Sequence, residues 1–282
     1  MNRGAPAELD GPEALDPDPL RGAHFVQSLE RGLAVLRAFS AEEPSLTLTE
    51  VAARTGLSRA AARRFLLTLA DLGYVAVAGR AFSLRPRVLE LGYAYLSSQT
   101  LPDVALPHLE QLSQQVHESS SLAVLDGEDV VYVARVPTKR IMTVAISIGT
   151  RFPAYATSLG RVLLSGLPPA ELAAYLERVD LRPLTRRTLA SPVALRAEVD
   201  RVRAQGWSLV DQELEEGLAS VAAPVRDPSG RVVAAVNVST HATRRDPAAL
   251  RADVVGPLLE AAAEIERELT ALQPRRRGTT AG

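Results

Sequence analysis

The chain has 282 residues, with 32 Lys+Arg against 33 Asp+Glu and no cysteine, a length that suits about two domains of roughly 150 residues each. A net charge of −1 excludes a uniformly basic coating protein and a supercharged acidic chain, and the lack of cysteine excludes disulfides, thiolate metal sites and Cys nucleophiles. No apolar run approaches about 18 residues, so no membrane span is expected. The acidic start, with Glu8, Asp10, Glu13, Asp16 and Asp18, does not read as a signal peptide, and the expected location is the cytoplasm.

The charge is unevenly spread. Residues 25–88 carry nine Arg against five acids, residues 1–24 carry five acids against two Arg, and Arg275, Arg276 and Arg277 close the chain. What remains, 89–273, is acidic. A small basic domain joined to a larger acidic one suggests that only the first meets nucleic acid. Lys139 is the only lysine, so richness in Arg is no argument for DNA by itself.

In chain order, residues 1–24 are rich in Pro and Gly with little apolar periodicity and read as a disordered tail, as does 273–282. Ser28 is a candidate N-cap for a helix with Leu29, Leu33, Leu36 and Phe39 on one face. Thr47 and Glu50 have the spacing of a capping box, and that second helix ends at Gly56. A third runs from Ser58 to about Leu72, where Gly73 stops it. Two apolar runs, Tyr74–Val77 and Ala81–Leu84, flank Ala78-Gly79-Arg80 and predict a hairpin. Residues 25–86 thus form one domain, and 87–100 a linker helix.

Beyond it, 101–272 predicts helices near 103–118, 157–166, 169–178, 192–205 and 247–271. Strands are predicted at Ser120–Asp126, Val130–Val136, Ile141–Ile148, Trp207–Leu214, Ala219–Arg226 and Val232–Thr240. The turn signals Asp126-Gly127 and Asp227-Pro228-Ser229-Gly230 join consecutive strands. They imply a largely antiparallel sheet with packed helices, an α+β architecture.

The segment Thr47–Leu72 has the parts of a helix-turn-helix. Ala52 allows close approach of two helices, Gly56 tolerates the turn, and Leu57 plugs the corner. On the second helix Ala62, Phe65, Leu66 and Leu69 share one face, and Arg63 and Arg64 point away from it. Ser58, Arg59, Ala60, Arg63 and Arg64 are therefore the candidates for reading a major groove, with Arg80 at the hairpin tip, and Arg85, as wing contacts. An ordinary amphipathic helix with a solvated Arg face is the simpler alternative for an isolated Arg pair.

The segments VQSLERGLAVLRAF, LTLTEVAARTGLSRAAARRFLLTLADLGYV, RFPAYATSLGRVLLS and SLVDQELEEGLASVAAPVRDPSGRVVAAVNVS together resemble the IclR family of bacterial transcriptional regulators, over roughly residues 25–272. SRAAARRFLLTL followed by FSLRPRVLELGY looks most like the subgroup that controls aromatic-acid catabolism through the β-ketoadipate pathway. The resemblance implies a winged helix-turn-helix, a linker helix and a GAF-like effector domain with a curved antiparallel sheet. It further implies a dimer, with a dimer of dimers as an extension. The effector pocket it implies maps onto Thr157, Ser158, Asp211, Leu218, Ser220, Asn237 and Ser239. Read without the family, Asn237 and Ser239 stand two apart in an apolar strand and so face one side, either solvent or a cavity. Asp211 could equally cap a turn or hold a neighbouring Arg.

Enzyme chemistry finds little support. There is no phosphate-binding Gly-rich loop and no Gly-x-Ser-x-Gly elbow, and His24, His108, His117 and His241 lack metal-ligand spacing. Asp211, Glu213, Glu215 and Glu216 form a carboxylate cluster that reads as a solvated strand end. No catalytic residue, metal or cofactor is expected. The expected function is a DNA-binding regulator of a double-stranded operator, controlled by a small organic acid. Protocatechuate, 4-hydroxybenzoate and β-ketoadipate are candidates, and Arg135, Arg151 and Arg161 are possible partners for their carboxylates. The alternatives are an enzyme with an appended DNA-binding domain and a ligand-independent DNA-binding protein.

Overall fold

The computed structural model describes residues 24–40, 42–92, 100–138 and 146–272, in two compact units that divide between Ala94 and Tyr95. The expected tails at 1–24 (save His24) and 273–282 lie outside the described residues. So does most of the linker helix predicted at 87–100, of which a short 3-10 turn, Pro86–Val88, and helical residues to 92 are described.

In the first unit, α1 spans Gln27–Arg37, α2 Leu48–Thr55 and α3 Arg59–Asp71. The capping box forms as its spacing requires: Thr47 Oγ1 accepts from the Glu50 N–H, and the Glu50 carboxylate accepts from the Thr47 N–H at 2.7 Å. Gly56 ends α2 at φ +65°, a conformation that costs a residue without Cβ nothing. Ser58 caps α3, its hydroxyl accepting from the Ala61 N–H. The hairpin β2 (Val75–Ala78) and β3 (Ala81–Leu84) turns at Gly79, φ +62°. A strand not predicted, β1 (Ser45–Thr47), adds to the free edge of β3. Its three residues before a helix cap are too few to show an alternating pattern.

One expectation for α1 fails. Val26, not Ser28, is the N-cap residue and lends no side chain. The core contact of the helix is the fully buried Val35, while Leu29 and Leu33 stay 63% and 45% exposed. Of the apolar stripe, Leu29 and Leu33 are thus open, while Phe39 is buried in the core and Leu36 packs against it.

In the second unit, α4 (Thr100–Val116) leads into the hairpin β4 (Ser119–Asp126) and β5 (Asp129–Val136). Strand β6 (Arg151–Pro153), a 3-10 turn (Ala154–Ala156) and helices α5 (Ser158–Ser165), α6 (Pro169–Arg178) and α7 (Pro192–Gln205) follow. The chain closes with β7 (Ser208–Asp211), β8 (Leu218–Arg226), β9 (Val232–His241), α8 (Pro247–Asp253) and α9 (Val255–Leu272). The six strands form one antiparallel sheet in the order β6-β5-β4-β9-β8-β7, curled into a half-barrel. Helices α4 and α9 cover one face and α5 the other.

Three predicted elements change. Of Ile141–Ile148, residues 141–145 lie outside the described residues and 146–148 are not strand. The edge strand is β6, reached through a turn in which the Gly149 N–H donates to Tyr132 O. Trp207–Leu214 stops at Asp211 because Gln212 turns the chain at φ 59°. The helix at 247–271 breaks at Val254. Pro257 has no N–H for the Asp253 carbonyl, and its ring crowds that oxygen.

Candidate functional site

Two surfaces are built for contact. In the first unit the core-facing side of α3 carries Ala62, Leu66 and Leu69, all buried. Period 3.6 then turns Ser58, Arg59, Ala60, Arg63 and Arg64 outward, where all five are exposed. Arg80 is exposed at the hairpin tip, with Arg85 exposed beyond β3. None of these arginines meets a carboxylate among the described residues. Arg54 and Arg87, by contrast, pair with Glu43 and Glu90. The N-terminal half of α3 thus offers free guanidinium forks beside uncommitted backbone N–H groups, the equipment for phosphate and base-edge contacts.

In the second unit, polar residues gather on the α5 face of the sheet. Period 2 turns Leu218 and Ser220 of β8, and Asn237 and Ser239 of β9, toward that side. The α5 N-terminus closes over them. Thr157 caps the helix, its Oγ1 accepting from the Gly160 N–H at 2.9 Å, and the Ser158 and Ser220 hydroxyls lie 2.8 Å apart. A side chain at position 160 would run into the Ala154 backbone, so only glycine lets α5 sit this close to the preceding turn. Tyr132, Ile146, Val210 and Leu214 complete the walls. The cavity they enclose is narrow, so a larger guest must part the apolar side chains.

Thr157, Ser158, Leu218, Ser220, Asn237 and Ser239 therefore converge, and Asp211 does not. Asp211 stands opposite Ala219 of β8, whose side chain belongs to the core on the other face, and its carboxylate is held by Arg187. An odd step along the strand reverses the face. Ser119 and Ser121 of β4, both buried and not among the expected site residues, stand opposite Ser239 and Asn237. Their signal was available: a polar run, Ser119-Ser120-Ser121, opening an apolar strand.

The three arginines separate cleanly. Arg151 is at the surface between Asp126 and Asp129. Arg161 is fully buried, its guanidinium forked onto the Glu213 carboxylate with Nη1 to Oε1 at 2.8 Å, and its Nε donates to Tyr155 O. Glu213 also accepts from the Leu189 N–H at 3.0 Å, tying the loop before α7 and the loop after β7 to α5. Only Arg135 faces the pocket side of the sheet, opposite Ser121, to whose hydroxyl its Nη1 donates at 3.3 Å. Burial disfavours its charge, and the neighbouring Tyr132 phenol offsets this in part. Burial also pushes the Tyr132 phenol up to about 12, so it is neutral and a donor at pH 7. Among the described residues no group of three His, Cys, Asp or Glu side chains could hold a metal ion, and no helix is long and apolar enough to cross a membrane.

Comparison with known proteins agrees with this geometry. The family model described as "IclR helix-turn-helix domain" matches residues 28–78, and the one described as "Bacterial transcriptional regulator IclR C-terminal" matches 93–267. The Pca regulon regulatory protein of Pseudomonas putida is 47% identical over 255 residues, covering 90% of this chain and 86% of that protein. A solved transcriptional regulator from Rhodococcus sp. RHA1 is 59% identical with a TM-score of 0.77, covering 87% of this chain and 98% of its own. An IclR homologue from Microbacterium hydrocarbonoxydans, solved with 4-hydroxybenzoate, is 26% identical with a TM-score of 0.75, covering 86% and 98%.

Proposed function

Since the chain belongs to the IclR family and is a DNA-binding transcriptional regulator, we propose that it grips a double-stranded operator through α3 and the wing and changes that grip when a small aromatic acid fills the half-barrel pocket. The outward row Ser58, Arg59, Ala60, Arg63 and Arg64, free of carboxylates among the described residues, carries the DNA half of the reading. Arg80 would reach the backbone or minor groove from the wing. The pocket half rests on the hydroxyls of Thr157, Ser158, Ser220 and Ser239 with Asn237 beside them, a polar set suited to a small hydroxylated acid.

The working form is a dimer in the cytoplasm. The open apolar face of α1, with Leu29 and Leu33, lies beside Phe65 and Tyr74 in one exposed groove, more apolar surface than a winged domain needs. Two-fold pairing puts two recognition helices on related half-sites, and the effector domains can join two such dimers. Regulation then follows from differential affinity: the acid binds one arrangement of the dimer better, and the population shifts toward it.

Selection of duplexes from a random pool by the full chain tests this, run with and without 4-hydroxybenzoate and protocatechuate. The expected outcome is convergence on a repeated half-site, with retention altered by one of the acids. A pool that never converges defeats the DNA reading. Convergence untouched by either acid, together with no rise in melting temperature at millimolar acid, favours a ligand-independent protein; a bound acid would stabilise by RT ln(1 + [L]/Kd).

A further inference from the structure

The cross-strand register aligns a single row on the pocket side of the sheet: Ser208 of β7, Ala222 of β8, Asn237 of β9, Ser121 of β4 and Arg135 of β5. The two buried side-chain atoms without a hydrogen-bond partner among the described residues, Ser208 Oγ and Asn237 Oδ1, both belong to this row. The Asn237 amide nitrogen is committed to Ser239 Oγ at 2.9 Å, so its oxygen is an acceptor in the pocket wall that nothing in the fold supplies. At the other end, Arg135 is half-buried with a serine hydroxyl and, among the described residues, no carboxylate for company. Among the described residues the acids of the neighbouring elements hold other arginines. Glu213 is on Arg161, Asp211 on Arg187 at the far face, and Asp126 and Asp129 on Arg151.

A buried acceptor left unpaired and a half-buried cation left unneutralised each cost free energy that a ligand can recover. We infer that Arg135 is the carboxylate anchor of the pocket and that Asn237 Oδ1 receives a hydroxyl of the ligand, so the pocket is built for a hydroxylated aryl carboxylate. Ile146, Leu214 and Leu218 supply the apolar wall that a ring requires. The assignment rests on the aromatic-acid reading above and adds the two groups that set ligand choice. A guanidinium fork suits a carboxylate, whose two oxygens it can bind side by side. A dicarboxylate without a hydroxyl leaves Asn237 unserved.

Calorimetric titration of the full chain with 4-hydroxybenzoate, 4-hydroxybenzamide and benzoate tests it. The wild type binds 4-hydroxybenzoate more tightly than the uncharged amide by about tenfold or more, the scale of a hydrogen bond to a charged group. Arg135→Gln abolishes that preference, and Arg135→Lys, which keeps the charge and loses the fork, retains part of it. Asn237→Ala brings 4-hydroxybenzoate down to the affinity of benzoate. A merely structural role for Arg135 would lower acid and amide alike, so an unchanged ratio in Arg135→Gln overturns the anchor while leaving the aromatic-acid reading in place. Should Arg135→Gln fail to fold, the acid-to-amide ratio of Arg135→Lys decides in the same way. Equal wild-type affinity for benzoate and 4-hydroxybenzoate overturns the Asn237 assignment. Binding of none of the three overturns the aromatic-acid reading and this inference together.

Discussion

The arginines of α3 and the wing differ from most arginines of the C-terminal unit. In the C-terminal unit Arg151, Arg161, Arg187, Arg201, Arg231 and Arg244 each hold a carboxylate, and the charge is spent on fastening loops and helices. In the N-terminal unit Arg59, Arg63, Arg64, Arg80 and Arg85 hold none among the described residues, and they cluster at one end of α3 and on the wing. A paired arginine costs the fold dearly when removed, whereas an unpaired exposed one costs it little and costs the partner it serves. The difference between structural and functional arginine is therefore legible from what each guanidinium touches.

The largest break in that comparison is at Arg161. Replacing it with Met leaves the Glu213 carboxylate buried without its cation, which typically costs about 3–5 kcal/mol. Urea unfolding is expected to show loss of the C-terminal unit's transition at far lower denaturant, with the N-terminal unit's signal little moved. An unchanged midpoint would mean that Glu213 is not held as the structure has it. Replacing both Arg161 and Glu213 with apolar residues should recover much of the loss.

The reverse signature belongs to Arg63 and Arg64. Alanine at either leaves stability within about 0.5 kcal/mol. Operator affinity falls instead, by about 1–3 kcal/mol at one base pair for a base-reading Arg, or evenly across sequences with a salt slope lower by about one for a phosphate contact. Fluorescence anisotropy against salt separates the two. Wild-type binding by the double variant removes α3 as the recognition helix.

A finer test lies in the β8–β9 turn. Asp227 is half-buried in its turn, and the Ser229 hydroxyl first, then Arg231, hold its carboxyl down to about 2 from an ordinary 3.8. A depressed value means that the turn's contribution is fully present above about pH 4 and lost as pH falls through about 2. The Asp227 carboxyl should titrate near 2 by NMR, and a midpoint at 3.8 would show these bonds absent in solution.

Local chemistry alone determined a good part of this protein. The Thr47–Glu50 capping box, the Gly56 turn, the Ser58 cap and the outward set on α3 depend on residues within two helical turns of one another, so the exposed arginine face of α3 was legible before any fold was known. The turn at Asp227–Gly230 was legible for the same reason. The pocket was only half legible: Asn237 and Ser239 betrayed themselves as polar residues in an apolar strand, but Asp211 was assigned to it wrongly and Ser121 was not assigned at all. Which face a residue of β7 presents depends on where β7 pairs with β8, and which arginine lies on the pocket side of the sheet depends on β5 lying beside β4 with a bulge at Leu122 and Ala123. These are contacts between residues far apart in the chain. Register decides them, and because a shift of one residue exchanges the two faces of a strand, only the assembled sheet could bring Arg135, Ser121 and Asn237 into one row and turn Asp211 away.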